Sequence, residues 1–188
     1  VAVRSSPANI PENDYEPPSF FNIKGLNSLL WAIKRCYSSL FTQSSIESFI
    51  ALGKPTPLPT MPIIIQIMEL SDRSASIHRS TRKDEWIVEA VWGQGNSIKD
   101  KTAKPDRYRV GKENDLLTVL EVQISDKEKA HTRDSSGNSR TIDLTSDLKR
   151  EQVLNAPEIL ALTKYAEKIK HIFEEPQKIG FSISNNEI

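Results

Sequence analysis

The stretch W-I-V-E-A-V-W-G-Q-G, Trp86–Gly95, decides how this chain is read. Its β-branched and aromatic residues enclose one carboxylate, Glu89, and then strike a Gly-x-Gly turn, the pattern of a strand delivered into a tight loop. Junctions of this kind face phosphate in nucleotide sites, but strands end in glycine turns everywhere, so on this feature alone a plain turn is the commoner reading.

Working outward, Ile63–Met68 (IIIQIM) is a compact β-branched run that predicts a buried strand, and Ala75–Thr81 predicts another, joined to Trp86–Trp92 by the charged turn RKDE. These three are expected to be neighbours in one sheet. Arg107–Val110 and Leu116–Ile124 flank the polar turn GKEND and predict two further strands. The run DKEKAHTRDSSGNSRTIDL predicts an exposed hairpin around its Ser-Ser-Gly-Asn centre. Val1–Ser6 and Lys178–Ser184 predict the first and last strands, and Pro7–Pro18 reads as a turn-rich acidic segment.

Two segments change period. Leu26, Leu29, Leu30, Ile33, Tyr37, Leu40 and Phe41 recur at spacings of three and four, which predicts an amphipathic helix with Asn27 as its N-cap. Ser44–Leu52 predicts a second helix, stopped by prolines 55, 57 and 59 in a loop near 53–62. Ala156–Glu175 predicts a third, its apolar face carrying Ile159, Leu160, Leu162, Tyr165, Ala166, Ile169 and Phe173, with Pro157 near the start where a missing N–H costs little. The expectation is a single α+β domain over 1–188, mostly antiparallel sheet with amphipathic helices.

The 188 residues carry 25 basic and 25 acidic side chains, so no overall field steers the chain toward nucleic acid or a membrane surface. No apolar run reaches the roughly 18 to 20 residues of a membrane span. A single cysteine, Cys36, excludes an internal disulfide and a cysteine-based zinc site, and a reducing, cytoplasmic setting is expected. Glycine is scarce, 7 residues against 11 prolines, which leaves room for few phosphate-cradling loops.

Candidate chemistry is sparse. His78, His131 and His171 are far apart in sequence and outside any metal-ligand spacing, and no G-x-S-x-G elbow is present. Cys36 lies within the amphipathic helix, where core packing is its natural role. Arg4, on a short strand and followed by two serines, can hold phosphate oxygens bidentately or form a surface ion pair. Glu89 needs a partner or a metal if buried and needs nothing if it alternates outward.

With these residues in view the chain resembles the N-terminal ATP-binding domain of the phosphoenolpyruvate synthase and pyruvate, phosphate dikinase family. VAVRSS at 1–6 is similar to the family's VRSSA, FNIKGLNSLLWAIKRCYSSLFT at 21–42 to its LNVKG…LLEAVKKCWASLFT helix, and IIIQIM to its VGVQKM strand. IVEAVWGQGN resembles IEAAWGLGE, KPDRYRV at 104–110 resembles TPDRYIV, and the segment from Pro157 resembles the family's last helix and strand. Ordered matches along nearly the whole length are far more specific than one Gly-x-Gly.

The resemblance implies an ATP-grasp-like fold, with ATP and Mg²⁺ as ligands and phosphate passing to a histidine on a separate domain and then to pyruvate. By matched position Arg4 would bind phosphate, Gln66 and Met68 would lie by the adenine, and Glu89, Gly93 and Gly95 would shape the nucleotide loop. The departures are specific. Pro17 and Pro18 stand near the family's SFAGQ loop, and Asn96 replaces the glutamate after the second glycine of the turn. In the last strand Gly180 falls at the metal-binding glutamate, and Lys178 at the acidic residue before it. No histidine matches the phosphoacceptor. The expectation is therefore a module incomplete at both ends with little activity alone. The alternatives are an active phosphotransferase subunit completed by another chain and a non-enzymatic regulatory or scaffold relic. Open sheet edges would also invite self-association.

Overall fold

The computed structural model describes residues 1–7, 17–51, 60–68, 71–82, 84–99, 102–133, 138–173 and 177–184. They form two compact units, Val1–Met68 and Glu69–Ile188.

In the first unit β1 (Ala2–Ser5), β2 (Ser19–Phe20) and β3 (Ile63–Gln66) form an antiparallel sheet in the order β2-β1-β3. Helix α1 (Leu26–Ser38) lies on it, continuing through a 3-10 turn into α2 (Gln43–Ala51). Val3 is fully buried against Ala32 and Cys36, with Leu29, Ile33 and Ile63 packed around them. The inward seam of α1 therefore runs 29, 32, 33 and 36, at helical spacing but through two small residues. Leu26, Leu30, Tyr37 and Phe41, expected on the core face, are exposed. A seam that must approach a sheet closely selects Ala and Cys, and the bulky side chains are displaced to its flanks.

The helix also starts differently from the expectation. Gly25, at φ +77°, is the N-cap, its carbonyl accepts the Leu29 N–H at 3.1 Å, and Asn27 lies inside the first turn. The entry needs a left-handed residue, which glycine supplies without a Cβ penalty. Helix α2 is capped by Thr42, whose hydroxyl accepts the Ser45 N–H at 3.4 Å. Strand β3 corrects a further expectation: it is an edge strand of the first unit, Ile64 and Ile65 are both about half exposed, and it pairs with β1 rather than with the strands that follow it. Most of the expected proline-rich loop, residues 52–59, lies outside the described residues.

The second unit holds β4 (Arg73–Arg79), β5 (Trp86–Trp92), α3 (Asn96–Lys99), β6 (Asp106–Glu113), β7 (Leu116–Gln123), β8 (Lys129–Arg133), β9 (Ser139–Asp143), α4 (Ser146–Arg150), α5 (Ala156–Phe173) and β10 (Ile179–Ile183). Five strands form an antiparallel sheet in the order β10-β4-β5-β6-β7, so the final strand closes beside β4. The β6–β7 hairpin turns on Asn114 and Asp115, both at positive φ, as a tight two-residue turn requires. Strands β8 and β9 form the expected hairpin; its Ser-Ser-Gly centre, residues 135–137, lies outside the described residues.

Alternation decides the sheet's two faces. Ala75, Ile77, Trp86, Val88, Tyr108 and Val110 point to one side and pack against Ile159, Leu162 and Ala166 of α5. Beneath this core is a buried ion pair: Asp106 and Lys127 are almost wholly shielded, with Nζ 2.6 Å from Oδ1. Asp106 also accepts the Ser125 and Val153 N–H groups, each at 2.9 Å, and the Tyr108 hydroxyl at 3.3 Å. The Tyr108 oxygen in turn accepts the Leu154 N–H at 3.2 Å. One carboxylate thus ties β6 to the loop before β8 and to the approach to α5. Burial is the main reason the Tyr108 phenol is pushed well above its ordinary pKa.

Candidate functional site

In the first unit Arg4 and Gln66 share one face of the small sheet, since Arg4 pairs with Ile64 and Ala2 with Gln66. Arg4 is exposed, its guanidinium carbon 5.1 Å from the centroid of Phe21. Stacking on the ring orients the fork while leaving its N–H groups available. Met68 follows Gln66 by two residues, and its sulfur accepts the Asn22 N–H at 3.2 Å. Phe21 was not singled out from the sequence, although its position one residue beyond a strand partner of Val3 is what sets it under Arg4. An open cleft of about 300 Å³ in this unit is lined elsewhere, by Pro18, Phe20, Arg35 and hydroxyls of the α1–α2 turn. Its Ser38, Ser39 and Thr42 hydroxyls are already bonded to backbone carbonyls one turn earlier.

In the second unit the Gly-x-Gly turn is built by close backbone approach. Gly93 has φ +77°, and a Cβ placed on it would sit 2.1 Å from the His131 carbonyl oxygen of β8. Its N–H donates to Asp72 at 2.6 Å, and the Gln94 N–H donates to that same His131 carbonyl at 2.8 Å. The Gly93 carbonyl accepts the Ser74 hydroxyl at 2.7 Å. The first two N–H groups of the turn therefore serve the protein itself. At Gly95 an added Cβ would come within 3.1 Å of the Ser74 Cβ, and Asn96, the next residue, opens α3. The Asn96 Oδ1 is shielded and has no hydrogen-bond partner among the described residues.

Glu89 faces away from the α5 core and is half-buried. The register sets it in a row across four strands: Gly180 pairs with Ser76, Ser76 with Glu89, and Glu89 with Arg107. His78 stands two residues from Ser76 on the same face. Burial is the largest cause holding its imidazole below the ordinary value; Glu89 opposes, while Lys178 and Arg107 add to the lowering. The Ser76 Oγ and His78 Nδ1 are both shielded with no hydrogen-bond partner among the described residues. The sequence sets His78 outside any metal-ligand spacing and gives Ser76 no motif. Their period-two placement opposite Glu89 was the available signal.

On this face a divalent cation would have one carboxylate, Glu89, with the rest of its shell left to phosphate and water. Among the described residues no group of three His, Cys, Asp or Glu side chains converges to hold a metal. The row offers Glu89 alone, and Mg²⁺ commonly draws on one or two carboxylates besides phosphate and water. A side chain at Gly180 would meet nothing within 4 Å, so the position has space for a ligand it does not supply.

The chain matches, over residues 1–188, the family described as pyruvate phosphate dikinase, AMP/ATP-binding domain. It belongs to that family. Its relatives include a probable phosphoenolpyruvate synthase of Methanocaldococcus jannaschii, 27% identical over 190 residues that cover 97% of this chain and 16% of that protein. One from Methanothermobacter thermautotrophicus is 27% identical over 195 residues, 100% of this chain and 28% of the relative. The phosphoenolpyruvate synthase of Helicobacter pylori is 28% identical over 195 residues, 95% and 24% respectively. The chain thus spans less than a third of the length of these relatives. The architecture is the α+β, ATP-grasp-like one of the pyruvate phosphate dikinase nucleotide domain, mixed helix with antiparallel sheet. No helix among the described residues is long and apolar enough to cross a membrane.

Proposed function

We propose that this chain is a nucleotide-binding module of the phosphoenolpyruvate synthase type with little or no phosphoryl transfer of its own. One observation carries the reading: the strand register sets Gly180 in the same row as Glu89, with Ser76 between them, so the position matched to the family's metal-binding glutamate shares a sheet face with the remaining carboxylate and brings no second one. Phosphoryl transfer depends on charge neutralisation at the transferring group, and a single cationic group there is worth about 10³ to 10⁵ in rate. ATP is the ligand the family resemblance implies: within the first unit Arg4 is the matched phosphate position and Gln66 and Met68 the matched base positions, and within the second unit Glu89, Gly93 and Gly95 are the matched positions of the nucleotide loop. AMP formation from ATP and pyruvate by the purified chain should stay at background, while calorimetry detects weak ATP binding. Tight binding together with measurable AMP would overturn this reading.

In a second reading the phosphotransferase is active once completed by the remaining parts of the longer relatives, of whose length this chain matches 16–28%. Adding the remainder of a relative in trans should then restore AMP formation. Self-association belongs to the same proposal, since β3 is an Ile-rich edge strand with no partner on its outer side among the described residues. Light scattering should show dimers or larger species, and a monodisperse monomer would count against it.

A further inference from the structure

Helix α1 and strand β3 of the first unit expose apolar side chains toward the same side. At about 100° per residue, Leu26, Leu30 and Tyr37 fall within about 40° of one another, on one flank of the buried Ala32–Cys36 seam. Trp31 lies on the opposite flank, where its ring meets Phe20 of β2 with centroids 5.3 Å apart. Since the sheet order is β2-β1-β3, the flank with Leu26, Leu30 and Tyr37 overlooks β3. There Ile65 shares the sheet face of its partner Val3, which packs under α1, and Ile67 continues that face by alternation. These five side chains are between 46% and 77% exposed. They form one apolar surface from helix flank to strand edge.

The backbone of that edge is open as well. The Ser6 N–H donates to the Pro62 carbonyl at 2.9 Å, so Ser6 and Pro62 form a hydrogen-bonded pair. Alternation then turns the backbone groups of Ile64 and Gln66 to β1 and those of Ile63 and Ile65 outward. Residues 61–68 carry no charged side chain, the usual protection of an exposed edge. We propose that this surface is the interface of a two-fold dimer of the chain, in which β3 pairs antiparallel with β3 of a second copy, Ile65 opposite Ile65, an inference that rests on the self-association reading and gives it a face, a symmetry and a register.

An axis at Ile65, normal to the sheet, sets the outward groups of Ile63 against those of Ile67 in the other copy and brings no like charges together along the edge. It also keeps both α1 helices on one side of the joined sheet. The two β1 strands then stand three strand spacings apart, about 14 Å, wider than the roughly 8–10 Å of close-packed helices. Large flanking side chains fill such a gap, which is the use of Leu30 and Tyr37 on a surface that solvent alone would make polar. Covering the five side chains in both copies removes on the order of 1,000 Å² of apolar surface, the size at which an interface becomes specific.

Sedimentation equilibrium of the whole chain tests this. The chain should form a dimer that dissociates on dilution and grows no further. Ile65→Lys, Ile65→Glu and Leu30→Glu should each raise the dimer Kd by roughly tenfold or more. Mixing the Ile65→Lys and Ile65→Glu proteins should restore a mixed dimer, because position 65 meets its own counterpart across the axis and opposite charges attract there. Circular dichroism verifies that the variants fold, and restoration on mixing requires that they do. A dimer that ignores Leu30→Glu, or a Lys/Glu mixture that stays monomeric, would overturn this interface and leave self-association standing. Open-ended growth would do the same, since a two-fold closes. A monomeric chain would overturn both, and uptake of the remainder of a longer relative by that monomer, with α1 and β3 shielded from hydrogen exchange, would assign the face to that part instead.

Discussion

Single residues hold the nucleotide-type turn and the buried ion pair, and each has a measurable cost. At Gly93 a positive φ and the His131 carbonyl both exclude a side chain. Gly93→Ala should therefore destabilise the second unit by about 2–4 kcal/mol, strain and overpacking together, which urea unfolding followed by tryptophan fluorescence would measure. Loss of one member of the Asp106–Lys127 pair leaves the other charge buried and unpaired. Lys127→Met should cost about 3–5 kcal/mol. In a double-mutant cycle Lys127→Met with Asp106→Asn should cost less than the sum of the single changes, and strict additivity would show that the pair is uncoupled.

At the level of elements, helix α5 is started by a reciprocal cap. Asn155 Oδ1 accepts the Glu158 N–H at 3.0 Å, and Glu158 Oε2 accepts the Asn155 N–H at 2.9 Å. Arg73 of β4 reaches the same carboxylate at 2.8 Å and so pins the helix start to the sheet. Burial opposes ionisation of Glu158, but the Arg73 hydrogen bond, the Asn155 N–H and the Arg73 charge outweigh it and hold the carboxyl below its usual 4.5. A lowered folded value means the unfolded chain binds more protons at acidic pH. This stabilisation is thus complete above pH 4.5 and is lost as pH falls through the folded value. Arg73→Gln should reduce that acid dependence in melting curves below pH 5 and cost about 1–2 kcal/mol at neutral pH. Asn155→Ala should cost about 1 kcal/mol.

Across the whole molecule the two units differ in how much apolar surface they enclose. The first buries Val3, Ala32 and Cys36 completely and leaves Leu26, Trp31 and Phe41 more than half exposed, whereas the second buries Trp86, Tyr108, Leu154 and Ile159 within a continuous core. Local stability follows enclosed apolar contact. Amide hydrogen exchange should therefore be faster in α1 and β3 than in β5 and β6, and equal protection in the two units would contradict it.

Element types were legible along the chain: the apolar β-branched run at 86–92, the strand runs at 107–110 and 116–124, the helical periods at 26–41 and 156–175, and the ordered matches that carry the family. These are legible because backbone periodicity depends on neighbours along the chain. The sequence by itself also marked Glu89, Gly93 and Gly180 as positions of interest. Only the tertiary structure decided that α1 packs through Ala32 and Cys36, and that β3 leaves the sheet of β4 and β5 to pair with β1. It alone showed Lys127 buried on Asp106, and Gly180, Ser76, Glu89 and Arg107 in one row. Each of these is a contact between residues distant in sequence, fixed by register and by the space between packed elements, which no local pattern records. The Trp86–Gly95 turn shows both halves: its glycines are visible in the sequence, but the His131 carbonyl that makes Gly93 necessary comes from a strand more than thirty residues away.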